Sequence, residues 1–309
     1  MPNIIFMGTP DFSVPILKDL HETYGVALVV SQPDKPVGRK RVMTPPKVAA
    51  AAEALGIEVF QPDNIKDASS IEVMKEAQPD IIVTAAYGQI LPKELLELPE
   101  YGAINVHASL LPKFRGGAPI HHAILKGEKT TGITIMYMAE GLDSGDIIAQ
   151  SAIDIKDEDD TGILHDKLSR LGSELLLDTL PSIFEGENNK TAQNHVEATY
   201  SPNISKADEL LDFNRSAVEV FNHIRGLSPF PGAYTMLEGK RFKIYGAKLT
   251  GSKTDRPAGE ILSLDEEGIH VAAADEAVLI TEVQLAGKKK TAADDFGRTR
   301  QDLTGTLLG

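Results

Sequence analysis

Cysteine is absent from the 309 residues. Its absence excludes a disulfide framework, a thiol nucleophile and a cysteine-ligated zinc site, and it accords with a reducing cytoplasm. Long apolar runs are missing too. No window approaches the roughly 18 consecutive apolar residues of a membrane helix. The opening MPNIIFMGTP enters a short apolar run without the charged region and long apolar stretch of a secretory signal. These features predict a soluble, cytoplasmic protein with no membrane partner. The first strand-to-helix turn, GTPDFS, lacks the second and third glycines of the dinucleotide fingerprint, which argues against a nicotinamide cofactor. There is no P-loop, no HExxH and no His/carboxylate set at metal-ligand spacing, so no metal is expected. His121 and His122 are neighbours on a predicted helix, about 100° apart, and make a poor chelating pair.

What remains is ordinary in bulk. An apolar content of 42% and a charged content of 25% belong to a folded chain long enough for two domains or one large one. The formal charge of −14 argues against general nucleic-acid binding. That charge is uneven, however. Residues 206–309 hold 14 Lys/Arg against 16 Asp/Glu, whereas residues 1–205 hold 17 against 29. Inside the acidic half, PDKPVGRKRVMTPPK (33–47) sets Lys35, Arg39, Lys40, Arg41 and Lys47 against Asp34 alone. Such a run reads either as a solvated loop or as an arm that closes on phosphates.

Apolar runs alternate with amphipathic stretches through the first part of the chain. NIIFMG, GVALVVS, IEVF and PDIIVTAA read as strands. FSVPILKDLHETY, with Asp11 as a candidate cap, and PPKVAAAAEALG read as helices, and a further helix is expected near 67–77. This alternation predicts an α/β fold with a doubly wound, mostly parallel sheet. GITIMYM and DIIAQSAIDI add a strand pair, and residues 161–186 a long helix. Residues 187–205 are polar and read as a linker. After a helix at 216–227 come five short strand-like runs, AYTMLEG, RFKIYGAKLTG, AGEILSLDEEG, IHVAAADE and AVLITEVQLAG. They predict a small barrel or sandwich, the five-stranded OB type among the options.

The candidate chemistry lies in NVHASLLPKFRGGAP (105–119). Pro112 and Gly116-Gly117 cannot continue the strand that YGAI begins. Asn105 and His107 therefore fall at its carboxyl end on one face, where open α/β sheets bind ligands. An amide donor and an imidazole on one face suit a developing oxyanion. A carboxylate is still needed, and GLDSGD (141–146) offers Asp143 and Asp146 in a loop whose glycines permit a tight fold-back. Spacing does not choose between the two. Lys113 and Arg115 read equally as ligand contacts or as solvated loop charges, and the basic segment 286–301 reads equally as a further phosphate-backbone contact or as a surface hairpin and helix.

Taken together, NVHASLLPKFRG and GLDSGD resemble the 10-formyltetrahydrofolate-dependent formyltransferases. IIFMGTPDFSVPIL, QPDKPVGRKR, AAYGQILPKELLE and APIHHAILKGEKTTGITIMYM are similar, in order and spacing, to members of that family whose acceptor is methionyl initiator tRNA. The resemblance covers nearly the whole chain. It implies a Rossmann-like formyltransferase domain (1–189), a linker (190–205) and an OB-like, tRNA-contacting β-barrel (206–309). It implies a monomer that moves a formyl group from 10-formyltetrahydrofolate to the amino group of methionyl initiator tRNA, for translation initiation. By position it makes Asn105, His107 and Asp143 the catalytic set, and so chooses Asp143 over Asp146. Asn105 and His107 would then donate to the developing oxyanion, and Asp143 would orient His107 or a proton-carrying water. Ser109, Leu110, Leu111 and Pro112 match the folate-binding run. Ala85, Tyr87, Gly88, Ile90 and Leu91 match the pterin loop, and Lys35, Arg39, Lys40 and Arg41 lie in the tRNA-contacting loop. A sugar-nucleotide formyltransferase or a formyltetrahydrofolate hydrolase shares these motifs but has less use for the basic loop. A non-catalytic RNA-binding protein is hard to square with all three catalytic positions being filled.

Overall fold

The computed structural model of the chain describes residues 2–38 and 40–309. The amino-terminal strands are β1 (Ile4–Gly8), β2 (Leu28–Val30), β3 (Lys35–Val37), β4 (Val42–Thr44), β5 (Glu58–Phe60), β6 (Ile81–Ala85), β7 (Ala103–His107), β8 (Thr130–Tyr137) and β9 (Ile147–Asp154). Seven of them form one sheet in the order β5-β2-β1-β6-β7-β8-β9. The pairs from β5 to β7 are parallel, and β8 returns antiparallel to β7. Ile4–Met7 of β1 and Ile81–Val83 of β6 are fully buried, as expected of central parallel strands covered on both faces. The order turns about β1, so the carboxyl ends of β1, β6 and β7 lie where doubly wound sheets carry ligands.

The helices are α1 (Ser13–Tyr24), α2 (Lys47–Ala54), α3 (Ala68–Glu76), α4 (Lys93–Leu96), α5 (Pro119–Leu125), α6 (Thr161–Phe184), α7 (Ala217–Gly226) and α8 (Ala293–Arg298). Asp11 does not cap α1. The N-cap position is Phe12, which has no side-chain cap. The helix start is held instead by the Ser13 hydroxyl, which donates to the Ala85 carbonyl at 2.6 Å. α7 carries a capping box between Ser216 and Glu219, which satisfies two backbone donors of the first turn. No helix among the described residues is long and apolar enough to cross a membrane.

The chain divides into two compact units, one of residues 1–119, 131–153 and 165–202, the other of 120–130, 154–164 and 203–309. Hydrogen bonds explain why two mid-chain pieces belong to the second unit. Arg225 donates to the carbonyls of Lys156 and Asp159, and Thr161 and His121 both donate to that of Gly226. His121 thus commits one ring nitrogen to the backbone.

The five strand-like runs of the carboxyl-terminal part are strands β10 (Ala233–Leu237), β11 (Lys240–Lys253), β12 (Ile261–Leu264), β13 (Ile269–Ala272) and β14 (Glu276–Leu285). They form an antiparallel sheet in the order β10-β11-β14-β13-β12, and β15 (Thr291–Ala292) pairs with β14. Ile244, Phe242, Val271, Val278 and Ile280 fill its interior. The chain end links the two edge strands. Leu308 donates to Gly259 just before β12, and Gly309 to Met236 of β10. Residues 286–301 form a turn, β15 and α8, the surface hairpin and helix that their sequence also allowed.

Candidate active site

Asn105 and His107 occupy the last turn of the pleat in β7, and both point to one side of the sheet because one residue separates them. Thr84 of β6 lies beside Asn105 in the parallel register. The Thr84 hydroxyl donates to Asn105 Oδ1 at 2.8 Å, the shortest of the three approaches its single proton could serve. With Oδ1 engaged, Asn105 presents Nδ2, for which the described residues supply no acceptor. An amide oriented in this way is a donor held ready for a ligand.

His107 is only 6% exposed. Its Nε2 lies 3.0 Å from the Phe114 carbonyl. A carbonyl only accepts, so Nε2 carries the proton. Nδ1 then faces Asp143 Oδ2 at 3.8 Å. This gap is too long for a direct hydrogen bond, and a reacting group between the two could reach either atom. Asp143 Oδ2 is fixed from the other side by the Gly116 N–H at 2.8 Å. Imidazole and carboxylate are therefore both tied to the turn 114–116, which sets their separation. Asp146 points elsewhere. Its carboxylate lies 3.8 Å from Lys190, and its carbonyl accepts from Tyr137 N.

Three non-glycine residues at the site adopt left-handed backbone, Ala86 (φ 47°), Phe114 (φ 59°) and Asp143 (φ 43°). Such geometry costs about 1–3 kcal/mol each and concentrates at functional sites. Gly145 answers a different need, close approach. A Cβ there would overlap the Tyr137 carbonyl, so the LDSGD loop folds back on β8 only with glycine at this position.

The run Ser109–Pro112 follows directly and is braced from β8 and β9. Ser109 Oγ donates to the Lys113 carbonyl at 2.6 Å. Thr134 donates to the Ser109 carbonyl and accepts from Leu111 N, while Gln150 donates to both Leu111 O and Thr134. The loop after β6 divides in two. Ala85, Tyr87 and Leu91 are buried, whereas Gly88 and Ile90 are exposed, Ile90 by 61%. Tyr87 packs among Ile5, Met7, Val30 and Leu95. Its hydroxyl has no hydrogen-bond partner, and burial pushes its pKa up to about 12.

The basic loop forms a hairpin of its own, in which β3, among the described residues, pairs only with β4. Its sequence, broken by Pro33, Pro36 and Gly38, gave no sign of this. Lys35, Lys40 and Arg41 are exposed on it; Arg39 lies outside the described residues. Arg115 differs from a solvated loop charge. It is 4% exposed, and its guanidinium donates to Gln193 Oε1. Residues 199–201, within the segment read as a linker, run beside Phe114–Ala118 and exchange backbone hydrogen bonds with it. Thr84, Thr134, Gln150 and Gln193 all serve the site, and none carries a local sequence signal, because each acts through a neighbour distant in the chain.

Comparison with known proteins places this arrangement. Residues 2–180 match the family described as formyl transferase, and residues 203–301 its C-terminal domain. The chain is 54% identical to the methionyl-tRNA formyltransferase of Macrococcus caseolyticus over 96% of this chain and 95% of that one. It is 51% identical to that of Bacillus subtilis over 100% and 98%. This chain belongs to the methionyl-tRNA formyltransferase family. Solved structures carry the same fold at lower identity. An N-formyltransferase from Helicobacter canadensis, in complex with folinic acid and dTDP-3-aminofucose, matches at 18% identity and TM-score 0.67 over 91% of this chain and 99% of that one. HypX from Aquifex aeolicus in complex with tetrahydrofolic acid matches at 19% and 0.64 over 99% of this chain, which spans about half (48%) of that protein. The formyltransferase fold thus extends over both units of the chain.

Proposed function

We propose that this formyltransferase moves the formyl group of 10-formyltetrahydrofolate to the amino group of methionyl initiator tRNA, as a cytoplasmic enzyme working where charged tRNA is made. The observation that carries the reading is the Asn105 amide, its oxygen held by Thr84 and its nitrogen offered beside His107 and Asp143. Asn105 Nδ2 donates to the formyl oxygen as the amine attacks and negative charge gathers there, the use to which a pre-oriented donor is best suited. Asp143 accepts the proton that the attacking amine loses, and the proton passes to the departing nitrogen. His107, its Nε2–H committed to Phe114, presents Nδ1 as an acceptor opposite Asp143, where it takes a hydrogen bond from the attacking amine or relays its proton toward the departing nitrogen. This departs from the expectation from sequence, in which the whole imidazole was free to donate to the oxyanion.

The residues present suit a folate. The braced backbone of 109–112 follows β7 and the loop 86–91 follows β6, so both lie at the carboxyl ends of these strands, where a flat heterocycle would lie with its polar edge against backbone groups. Lys35, Arg39, Lys40 and Arg41 neutralise acceptor-arm phosphates, and the cations along β11 (Lys240, Arg241, Lys243, Lys248, Lys253) support further backbone contacts in the carboxyl-terminal unit.

The test offers the enzyme 10-formyltetrahydrofolate with either charged initiator tRNA or a dTDP-linked amino sugar. Formylation of the tRNA alone is expected. Formylation of the sugar would give the reading to the sugar-nucleotide enzymes. Replacing Lys35, Lys40 and Arg41 by Ala should raise KM for tRNA at unchanged kcat. It should also flatten the salt dependence of tRNA binding, by a log–log slope of about 0.7–0.9 for each phosphate no longer neutralised.

A further inference from the structure

Gln193 stands far from the catalytic residues in sequence, in the polar segment between the long helix and the carboxyl-terminal strands. It is nonetheless 6% exposed. Its amide is fully used. Nε2 donates to the Asp143 carbonyl at 2.9 Å and to the Gly145 carbonyl at 2.8 Å. Oε1 accepts from Arg115 Nε at 3.1 Å and Nη2 at 2.6 Å. Turning the amide over would set two N–H donors against a guanidinium and an oxygen against two carbonyls, so only one orientation is stable. Arg115 makes that choice. It is buried without a carboxylate in ion-pair reach among the described residues, an arrangement that costs stability except as its hydrogen bonds offset it. It also reaches His195 Nδ1, at 3.1 Å.

The loop this clamp holds has few other anchors. Gly141 and Leu142 are exposed, and Asp143 is in left-handed backbone. The Asp143 carboxylate touches the protein through Gly116 N, with His107 Nδ1 3.8 Å away. Gln193 is the side chain that grips the loop's backbone on both sides of Ser144.

We propose that Gln193, oriented by Arg115, is a positioning residue that holds the Asp143 carboxylate against His107, so that turnover depends on the segment that leads to the carboxyl-terminal unit. The proposal rests on the role given to Asp143 above. Gln193 touches neither substrate in this account and acts only through the loop.

A double-mutant cycle between Gln193 and Asp143 tests it, with kcat, both KM values and folate affinity measured on the full-length enzyme. Gln193→Glu keeps the shape and the Arg115 interaction but turns an acceptor toward two carbonyls. It should lower kcat about 10–100-fold, the scale of a displacement near 1 Å at a reacting group, while both KM values stay within about twofold. In an Asp143→Asn background the same change should cost less than about twofold, since there is no carboxylate left to position. Should Gln193→Glu fail to fold, Arg115→Met combined with Gln193→Met removes clamp and buried charge together, and the same losses and the same non-additivity are expected. Equal losses in both backgrounds, or an unchanged kcat in either clamp variant, would overturn the proposal. If Asp143→Asn alone leaves kcat intact, the role of Asp143 fails instead, and the two failures are told apart within one data set.

Discussion

Asp143→Asn is expected to lower kcat by about 10²–10⁴, the usual range for losing a positioned acid–base group, with folate affinity changed less than about twofold. The asparagine fits the same space. Its Oδ1 can still accept from Gly116 N, as Asp143 Oδ2 does at 2.8 Å, so the 114–116 turn and the loop keep their places. What goes is the negative charge opposite His107 Nδ1 and the group at that point able to accept a proton from an attacking amine. Steady-state turnover paired with a folate titration separates the two quantities. Loss of folate binding together with turnover would make Asp143 a structural residue of the loop.

Asn105→Ala is expected to lower kcat/KM by about 10²–10³, or roughly 2.7–4 kcal/mol of transition-state stabilisation, as for one missing oxyanion donor. The fold should tolerate it. Thr84 loses its acceptor at Oδ1, but the same hydroxyl already lies 3.1 Å from the Ile104 carbonyl and can turn to it. The β6–β7 register depends on backbone pairing and not on this side chain. Thermal melting should therefore move by a few degrees at most for a loss near 1 kcal/mol. Asn105→Asp should be worse than alanine, because it sets a negative charge against a developing one. An aspartate variant more active than the alanine variant would contradict the donor role.

These two residues also mark how far the sequence could be read. β1, β2, β5, β6 and β7, and the five strands β10–β14, were legible because each is a short apolar or alternating run bounded by Gly, Pro or Asp. α7 was legible as the helical pattern of SAVEVFNHIRGL (216–227). Asn105 and His107 could be placed on one face because strand periodicity alone dictates it. The choice of Asp143 over Asp146 was not physical, and came from the family resemblance. Only the fold-back at Gly145 and the backbone donor of Gly116 give it a cause, and both are tertiary. Arg115 shows the limit most clearly. In KFRGG it looks like any loop cation, and its burial depends on residues 193–201 crossing the turn some 80 positions later. The hairpin β3–β4 escaped notice for the opposite reason. Two three-residue strands around Gly38 leave too short a pattern to register.

The central claim is that one site, built on β7 and closed by the Asp143 loop, formylates an initiator tRNA. Its most direct test is transfer of labelled formyl from 10-formyltetrahydrofolate to charged initiator and elongator methionyl-tRNA, by the wild-type enzyme and by His107→Ala. Label on the methionyl amine of the initiator alone, abolished in the variant, is the result predicted. Consumption of the formyl donor with no label on tRNA, or a His107→Ala enzyme as active as the parent, would contradict it.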